Sequence, residues 1–237
     1  MTATLRTDVG RVRKQNEDAA WFDEEKAIFA VADGMGGHQA GEVASSMAIE
    51  AVQHMTQRYD TPGISALRET VARAHERISA HAKAHPQCAG MGTTLSLMWR
   101  GYKYAYIAHV GDSRIYRMRN SRLEQITEDH SLVEELVRAR LITKEEARVH
   151  PRRNIITRAL GTQGDNQPDL LAADMMPGDL WLLCSDGLCS MVSDEAIAKT
   201  MRREKDLDRM ADSLMQQALD AGGKDNITLI LCREEEE

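Results

Sequence analysis

Apolar and polar positions divide the chain into strand-like and helix-like stretches. Up to about residue 33 the pattern is strand-like. Asp18-Ala19-Ala20-Trp21-Phe22, a polar turn at 23–26 and the run Ala27-Ile28-Phe29-Ala30-Val31-Ala32 predict a hairpin feeding a buried strand. Gly34, Gly36 and Gly37 follow, a backbone that turns sharply or is closely approached. Two stripes at three- and four-residue spacing come next: Val43, Ala44, Met47, Ala48, Ala51, Val52 and Met55, then Ile64, Leu67, Val71, Ala74 and Ile78. Pro62-Gly63 separates them, which predicts an antiparallel helix pair. Residues 93–126 return to strands (Thr93–Trp99, Tyr102–Val110, Ile115–Met118, Leu123–Ile126) joined by short turns, hence antiparallel. Leu180–Cys184 reads as another buried strand. Helices from Ser193 to about Glu204 and from Asp206 to about Ala221 follow, with Ser193 as N-cap and Gly222-Gly223 as terminator. Ile227–Cys232 is the last strand.

This order lacks the strict alternation of a parallel sheet. It predicts an α+β fold, two antiparallel sheets face to face with helix pairs outside, in a single domain over 1–237. Residues 127–167 are the most charged and least regular part. They hold a helical stretch at Leu132–Leu141, a capping box at Thr143-Lys144-Glu145-Glu146 and the basic residues Arg148, His150, Arg152 and Arg153.

The chain has 237 residues, 42% hydrophobic and 28% charged, with formal net charge -7. Without a basic stripe, nucleic acid is not an expected partner. No apolar run reaches the length of a membrane span and the start lacks a signal-peptide core, so no membrane is expected either. Cys88, Cys184, Cys189 and Cys232 lack zinc-type spacing and read as free thiols in a reducing compartment, which makes the cytoplasm the expected location. Glu234–Glu237 reads as a solvated, frayed end. His54, His75, His81 and His85 read as solvated or helix-packing residues.

Three aspartates change the picture. Asp33, Asp186 and Asp225 each stand where an apolar run meets a turn, in Ala32-Asp33-Gly34, Ser185-Asp186-Gly187 and Asp225-Asn226-Ile227. Each alone reads as an ordinary turn. Together, carboxylates about 5 Å apart would repel by roughly 3 kcal/mol per pair at an effective dielectric near 20. A hard divalent cation, magnesium, manganese or calcium, would offset that. Arg13, beside Glu17 and Asp18, offers a planar fork matched to two phosphate oxygens. Val110-Gly111-Asp112-Ser113-Arg114 again puts an acid at a strand end, although an Asp-to-Arg pair in a turn explains it equally well.

At these residues the chain resembles the metal-dependent protein serine/threonine phosphatases called protein phosphatase 2C, in their compact bacterial form. The matching stretches are Thr7–Gly10 through Asn16–Asp18, Val31–His38, Gly92–Thr94, Val110–Arg114, Thr157–Gly161, Cys184–Leu188 and Lys224–Thr228, in the family's order. The resemblance implies an α-β-β-α sandwich with two to three divalent cations, Mn2+ or Mg2+, at one edge. Asp33 would bridge two ions, with the Gly34 carbonyl on one and Asp186 and Asp225 on the other. Glu17 and Asp18 would act through water, and Asp112 with Asp186 would hold a third ion. Arg13 would hold the substrate phosphate, while a hydroxide formed between the two ions attacks phosphorus. Similar proteins carry a mobile flap where this chain has residues 127–167, and act on phosphorylated proteins in opposition to a serine/threonine kinase, some in secretion-system contexts. A monomer is expected.

The family's eukaryotic members carry histidine at the position of Met35 to protonate the leaving oxygen. Methionine cannot donate a proton, which leaves a metal-bound water or His38 as the acid. Two other functions remain open at this point: a pseudophosphatase that binds phosphoproteins without cleaving them, and a partner-switching phosphatase acting on an anti-sigma antagonist.

Overall fold

The computed structural model describes residues 1–36 and 40–235. One sheet has the order β1 (Thr2–Asp8), β11 (Ile227–Arg233), β10 (Leu180–Cys184), β7 (Arg114–Arg119), β8 (Arg122–Gln125). The other runs β2 (Asp18–Asp23), β3 (Ile28–Met35), β5 (Leu95–Arg100), β6 (Tyr104–Val110), β9 (Asp169–Asp174), with the short β4 (Gly92–Thr93) beside the end of β3. Every pairing between these strands is antiparallel. Helices α1 (Ala40–Arg58) and α2 (Ile64–Ala84) cover the second sheet. Short helices α3 (Leu132–Arg138), α4 (Lys144–Val149) and α5 (Asp186–Cys189) lie in connections, and α6 (Asp194–Arg203) and α7 (Leu207–Asp220) cover the first sheet.

The unbroken apolar runs of the central strands follow from burial on both faces. Along β3, Ile28, Ala30 and Ala32 face α1 and α2, whereas Phe29 and Val31 meet the other sheet. Along β10, Leu180, Leu182 and Cys184 face α6 and α7, while Trp181 and Leu183 enter the layer between the sheets. Period-two alternation thus feeds three apolar layers, the expected α-β-β-α sandwich.

Three details depart from the sequence reading. β9 was not anticipated: its four central residues lie between two aspartates, and pairing with β6 from Tyr104↔Asp174 to His109↔Asp169 makes it a strand. Glu234 is not frayed, because its amide donates to Asp179 O (2.8 Å) and its carboxylate is bound by Arg100. His75 is more than packing, since its Nδ1 accepts from Gly161 N (3.2 Å) and ties α2 to the end of the 127–167 insert. The other end of the insert is anchored by His130, whose amide donates to Gly111 O (2.7 Å). The capping box forms as read, with Thr143 N donating to Glu146 Oε2 (2.7 Å) and Glu146 N to Thr143 Oγ1 (3.2 Å). Among the described residues no helix is long and apolar enough to cross a membrane.

Candidate active site

Strand direction brings distant acids to one end of the sandwich. β10 runs antiparallel to β11 with Cys184 opposite Leu229, so Ser185 and Asp186, after β10, lie beside Asp225 and Asn226, before β11. β1 pairs on the other side of β11 with Asp8 opposite Ile227, so the 9–17 loop leaves from the same end. In the second sheet Asp18 pairs directly with Asp33.

Small polar groups lock this end together. Ser185 Oγ donates to Asp18 Oδ2 (2.7 Å) and accepts from Thr228 N (3.0 Å), joining the two sheets. Asn226 accepts from Glu17 N (2.8 Å) and donates to Val9 O (2.9 Å) and Gln15 O (2.8 Å), so one side chain fixes the whole 9–17 loop. Thr94 Oγ1 accepts from Asp33 N (2.9 Å) and contacts Ser113 Oγ (2.7 Å) beside Asp112. The Gly41 amide, in the first turn of α1, donates to the Glu17 carboxylate. A Cβ on Gly34 would sit 2.1 Å from Gly41 O and 2.5 Å from Glu17 O, so only glycine fits there.

Electrostatics show that these acids converge. Burial, then Asp18, Asp186, Asp112 and Asp225, hold the Asp33 carboxyl well above the usual carboxylate range. Burial raises Asp18 to about 7, with Asp186 and Asp225 adding repulsion against its hydrogen bonds to Ser185 and Thr228. Burial and Asp225 raise Asp186 to about 6, although it also bonds to Asp33. Asp112 is pushed well up by burial, Asp186 and Asp129. Glu17 is raised by burial despite Arg13. Among the described residues, Asp18 Oδ1 and Asp112 Oδ1 are buried without a hydrogen-bond partner. Buried carboxylate oxygens without a partner are expensive, and an all-oxygen cluster of this kind fits a hard divalent cation. Among the described residues no three acid, histidine or cysteine side chains close on one ion by themselves.

Arg13 is half-exposed, and its Nη2 donates to Asp225 Oδ2 (2.8 Å). Arg114 does not pair with Asp112; it grips Asp129 with three bonds of 2.7–3.0 Å. The turn-pair explanation of Asp112 therefore fails. His38 lies outside the described residues. Asn226, Ser185 and Thr94 had not been given roles from sequence, although all three stand inside the matched stretches. A groove of about 320 Å³ opens onto Asp112 and Asp186. Another cavity of about 300 Å³, between α1 and α2, touches none of these acids.

Comparison with known proteins shows the family. The family model described as protein phosphatase 2C matches residues 8–227. The chain belongs to the protein phosphatase 2C family. It is 42% identical over 239 residues to the serine/threonine phosphatase stp of Listeria monocytogenes, across 98% of this chain and 95% of that one. The crystal structure of the Mycobacterium tuberculosis serine/threonine phosphatase PstP/Ppp superposes with a TM-score of 0.92 at 39% identity, covering 99% of each chain. The catalytic domain of PstP, solved in complex with 2 manganese ions, matches with a TM-score of 0.87 at 38% identity, over 97% of this chain and 96% of that one. In this protein phosphatase 2C chain, six acids that the sequence reading named (Glu17, Asp18, Asp33, Asp112, Asp186, Asp225) surround one another at a single edge.

Proposed function

We propose that this member of the protein phosphatase 2C family, a serine/threonine phosphatase, hydrolyses phosphoserine and phosphothreonine on proteins with Mn2+ or Mg2+ held by its acidic edge. Asp33, the Gly34 carbonyl, Asp186 and Asp225 would hold two ions, with Glu17 and Asp18 acting through water. Asp112 with Asp186 would hold a third. The observation that carries this reading is the set of buried, mutually repelling aspartates, two of them with an unpartnered oxygen. Bound there, such cations supply water acidic enough to attack phosphorus near neutral pH and withdraw charge from the phosphoryl oxygens.

The chain's own residues do the rest. Ser185 and Thr228 keep Asp18 oriented, and Asn226 sets the loop that carries Arg13 and Glu17. Arg13 uses one nitrogen on Asp225 and is half-exposed, so the remainder of its fork would grip the substrate phosphate. Met35 has no proton to give, so the leaving oxygen takes its proton from water or from His38. His38→Ala with an unchanged pH–rate profile would exclude the histidine. Residues 1–237 act as one catalytic domain with 127–167 as its flap. The protein works as a monomer in the cytoplasm, opposing a bacterial serine/threonine kinase in signalling or secretion control.

The test is phosphate release from a phosphothreonine peptide and from p-nitrophenyl phosphate. Activity should require Mn2+ or Mg2+ and vanish with EDTA. A protein that binds the phosphopeptide at saturating Mn2+ yet releases no phosphate would be a pseudophosphatase.

A further inference from the structure

Gly111 and Asp112 form the turn after β6, and whatever holds that turn decides where the Asp112 carboxylate stands. Gly111 has φ +107°, and a Cβ there would lie 2.4 Å from Thr94 Cγ2, so the turn admits only glycine. Both polar groups of Gly111 are taken by one buried residue, His130. Gly111 N donates to His130 Nδ1 (3.1 Å), and His130 N donates to Gly111 O (2.7 Å). We propose that His130 is a positioning residue for the cation held by Asp112, acting through Gly111. The proposal rests on the phosphatase reading, in which Asp112 with Asp186 holds a third ion, and names what keeps that ion's site assembled.

The tautomer follows from the contacts. A peptide N–H only donates, so Nδ1 accepts from Gly111 and the ring proton sits on Nε2. Nε2 lies 3.2 Å from Asp169 Oδ2, at the start of β9, which accepts that proton's bond. Arg158 Nη1, also 3.2 Å from Nε2, donates to Asp169 Oδ1 (2.9 Å) and closes the cluster. His109, buried with its ring centroid 4.9 Å from that of His130, donates from Nε2 to Glu128 O (3.1 Å) and fixes the chain just before His130. His130 O accepts from Thr157 N (2.8 Å). A carboxylate behind the ring and a bare nitrogen towards the site is the arrangement by which an outer partner orients a ligand.

Asp112 depends on this bracing. Among the described residues its Oδ1 has no hydrogen-bond partner, and Arg114 is committed to Asp129. The carboxylate therefore takes its place from the backbone of its turn. Ser113 Oγ meets Thr94 Oγ1 at 2.7 Å on one side of Asp112, and His130 holds Gly111 on the other. Without an acceptor at Nδ1, the Gly111 amide would be a buried donor left unpaired, and the turn would shift to satisfy it.

Two variants divide the work of the ring's nitrogens. In His130→Asn the amide oxygen stands where Nδ1 was and still accepts from Gly111, while the link to Asp169 is lost. In His130→Gln the amide reaches Asp169, and Gly111 N loses its acceptor. Mn2+ binding to the full chain, followed by electron paramagnetic resonance of the free ion, gives the number and strength of bound ions, and Asp112→Asn identifies the ion that Asp112 holds. His130→Asn should bind that ion as the wild type does, and His130→Gln should bind it roughly 10–100-fold more weakly. The Mn2+ half-saturation of phosphate release should move in parallel. A ring that merely props the insert predicts the opposite order, because the Asp169 bond would then be the one that matters. That order, or equal affinity in wild type and both variants, would overturn the proposal. The Asn variant decides even where the Gln variant is too unstable to assay, since weakened binding in it also overturns the role. Wild-type release of phosphate from p-nitrophenyl phosphate, measured in parallel, separates the readings. No release sinks the phosphatase reading, whereas release with an Asp112 ion indifferent to both variants sinks only the role of His130. An ion count unchanged by Asp112→Asn sinks the third-ion assignment and this role with it.

Discussion

Asp179 and Asp186 stand at the two ends of the same strand, β10, each next to a glycine, and meet opposite environments. Asp179 is 1% exposed, and both its oxygens are held: Arg119 donates from Nε at 2.7 Å and from Nη2 at 2.6 Å, and Met176 N adds a third bond at 2.9 Å. Asp186 meets Asp33 and Asp225 instead, and burial together with Asp225 drives its carboxyl up to about 6. One end has matched its buried charge and is structural. The other gathers charge of one sign, an arrangement that costs stability and is kept where chemistry uses it. Burial of an acid is therefore uninformative until its partners are counted.

The largest way to sharpen that contrast is to neutralise each group. Asp33→Asn or Asp186→Asn should lower kcat/KM by on the order of 10²–10³, comparable to removing a principal charge-stabilising group. Either change should also erase the thermal stabilisation that Mn2+ gives the wild type, read by melting with and without EDTA. Asp179→Asn should do the reverse, losing about 3 kcal/mol in urea unfolding through a broken buried pair while keeping the response to Mn2+. Comparable activity losses at both ends would collapse the distinction.

Next in size is the loop clamp. Asn226→Ala removes three hydrogen bonds to the 9–17 loop, so the apparent affinity for Mn2+ should weaken by roughly 10–100-fold, as outer partners of ligands do. Titrating activity with Mn2+ reads this directly; an unaltered half-saturation would show that the loop holds itself.

A third test uses pH. In the cation-free fold Asp18 and Asp186 keep their protons to about pH 7 and about pH 6, whereas an unfolded carboxylate releases its proton near 3.8. Folding therefore takes up protons in that window. Their contribution is full below about pH 4 and is lost as pH rises through 6 to 7. His109, held neutral to about 3 by burial, works in the opposite sense, so neither melting curve alone isolates the aspartates. The gap between melting temperatures with Mn2+ and with EDTA should widen from pH 5 to 7.5, and a constant gap would contradict the assignment. The smallest effect belongs to Arg13→Ala, which should reduce kcat/KM roughly tenfold, as for one charged hydrogen-bonding group. Arg13→Lys should recover only part of it.

Much of this architecture was legible in the chain. Continuous apolar runs such as Leu180–Cys184 and three- and four-residue spacing in 43–78 reported burial directly, because both depend on period alone. β9 was not legible, since its strand character comes from β6 rather than from its own short apolar centre. Asp33, Asp186 and Asp225 stood out at strand ends, yet by that criterion Asp179 looks the same; only the surrounding residues of the family pattern told them apart. The work of Asn226 and Ser185 was hidden because their partners lie 209 and 167 residues away in sequence.

The pairing of β1 with β11 runs from Thr2↔Arg233 to Asp8↔Ile227, so the first and last strands close against each other like the two sides of a zip. Arg13 and Asp225 face one another only once that zip is shut. A polypeptide still emerging from the ribosome without residues 225–233 has the earlier acids but not the wall that completes them. A chain without those residues lacks both Asp225 and the strand that pairs with β1 and β10.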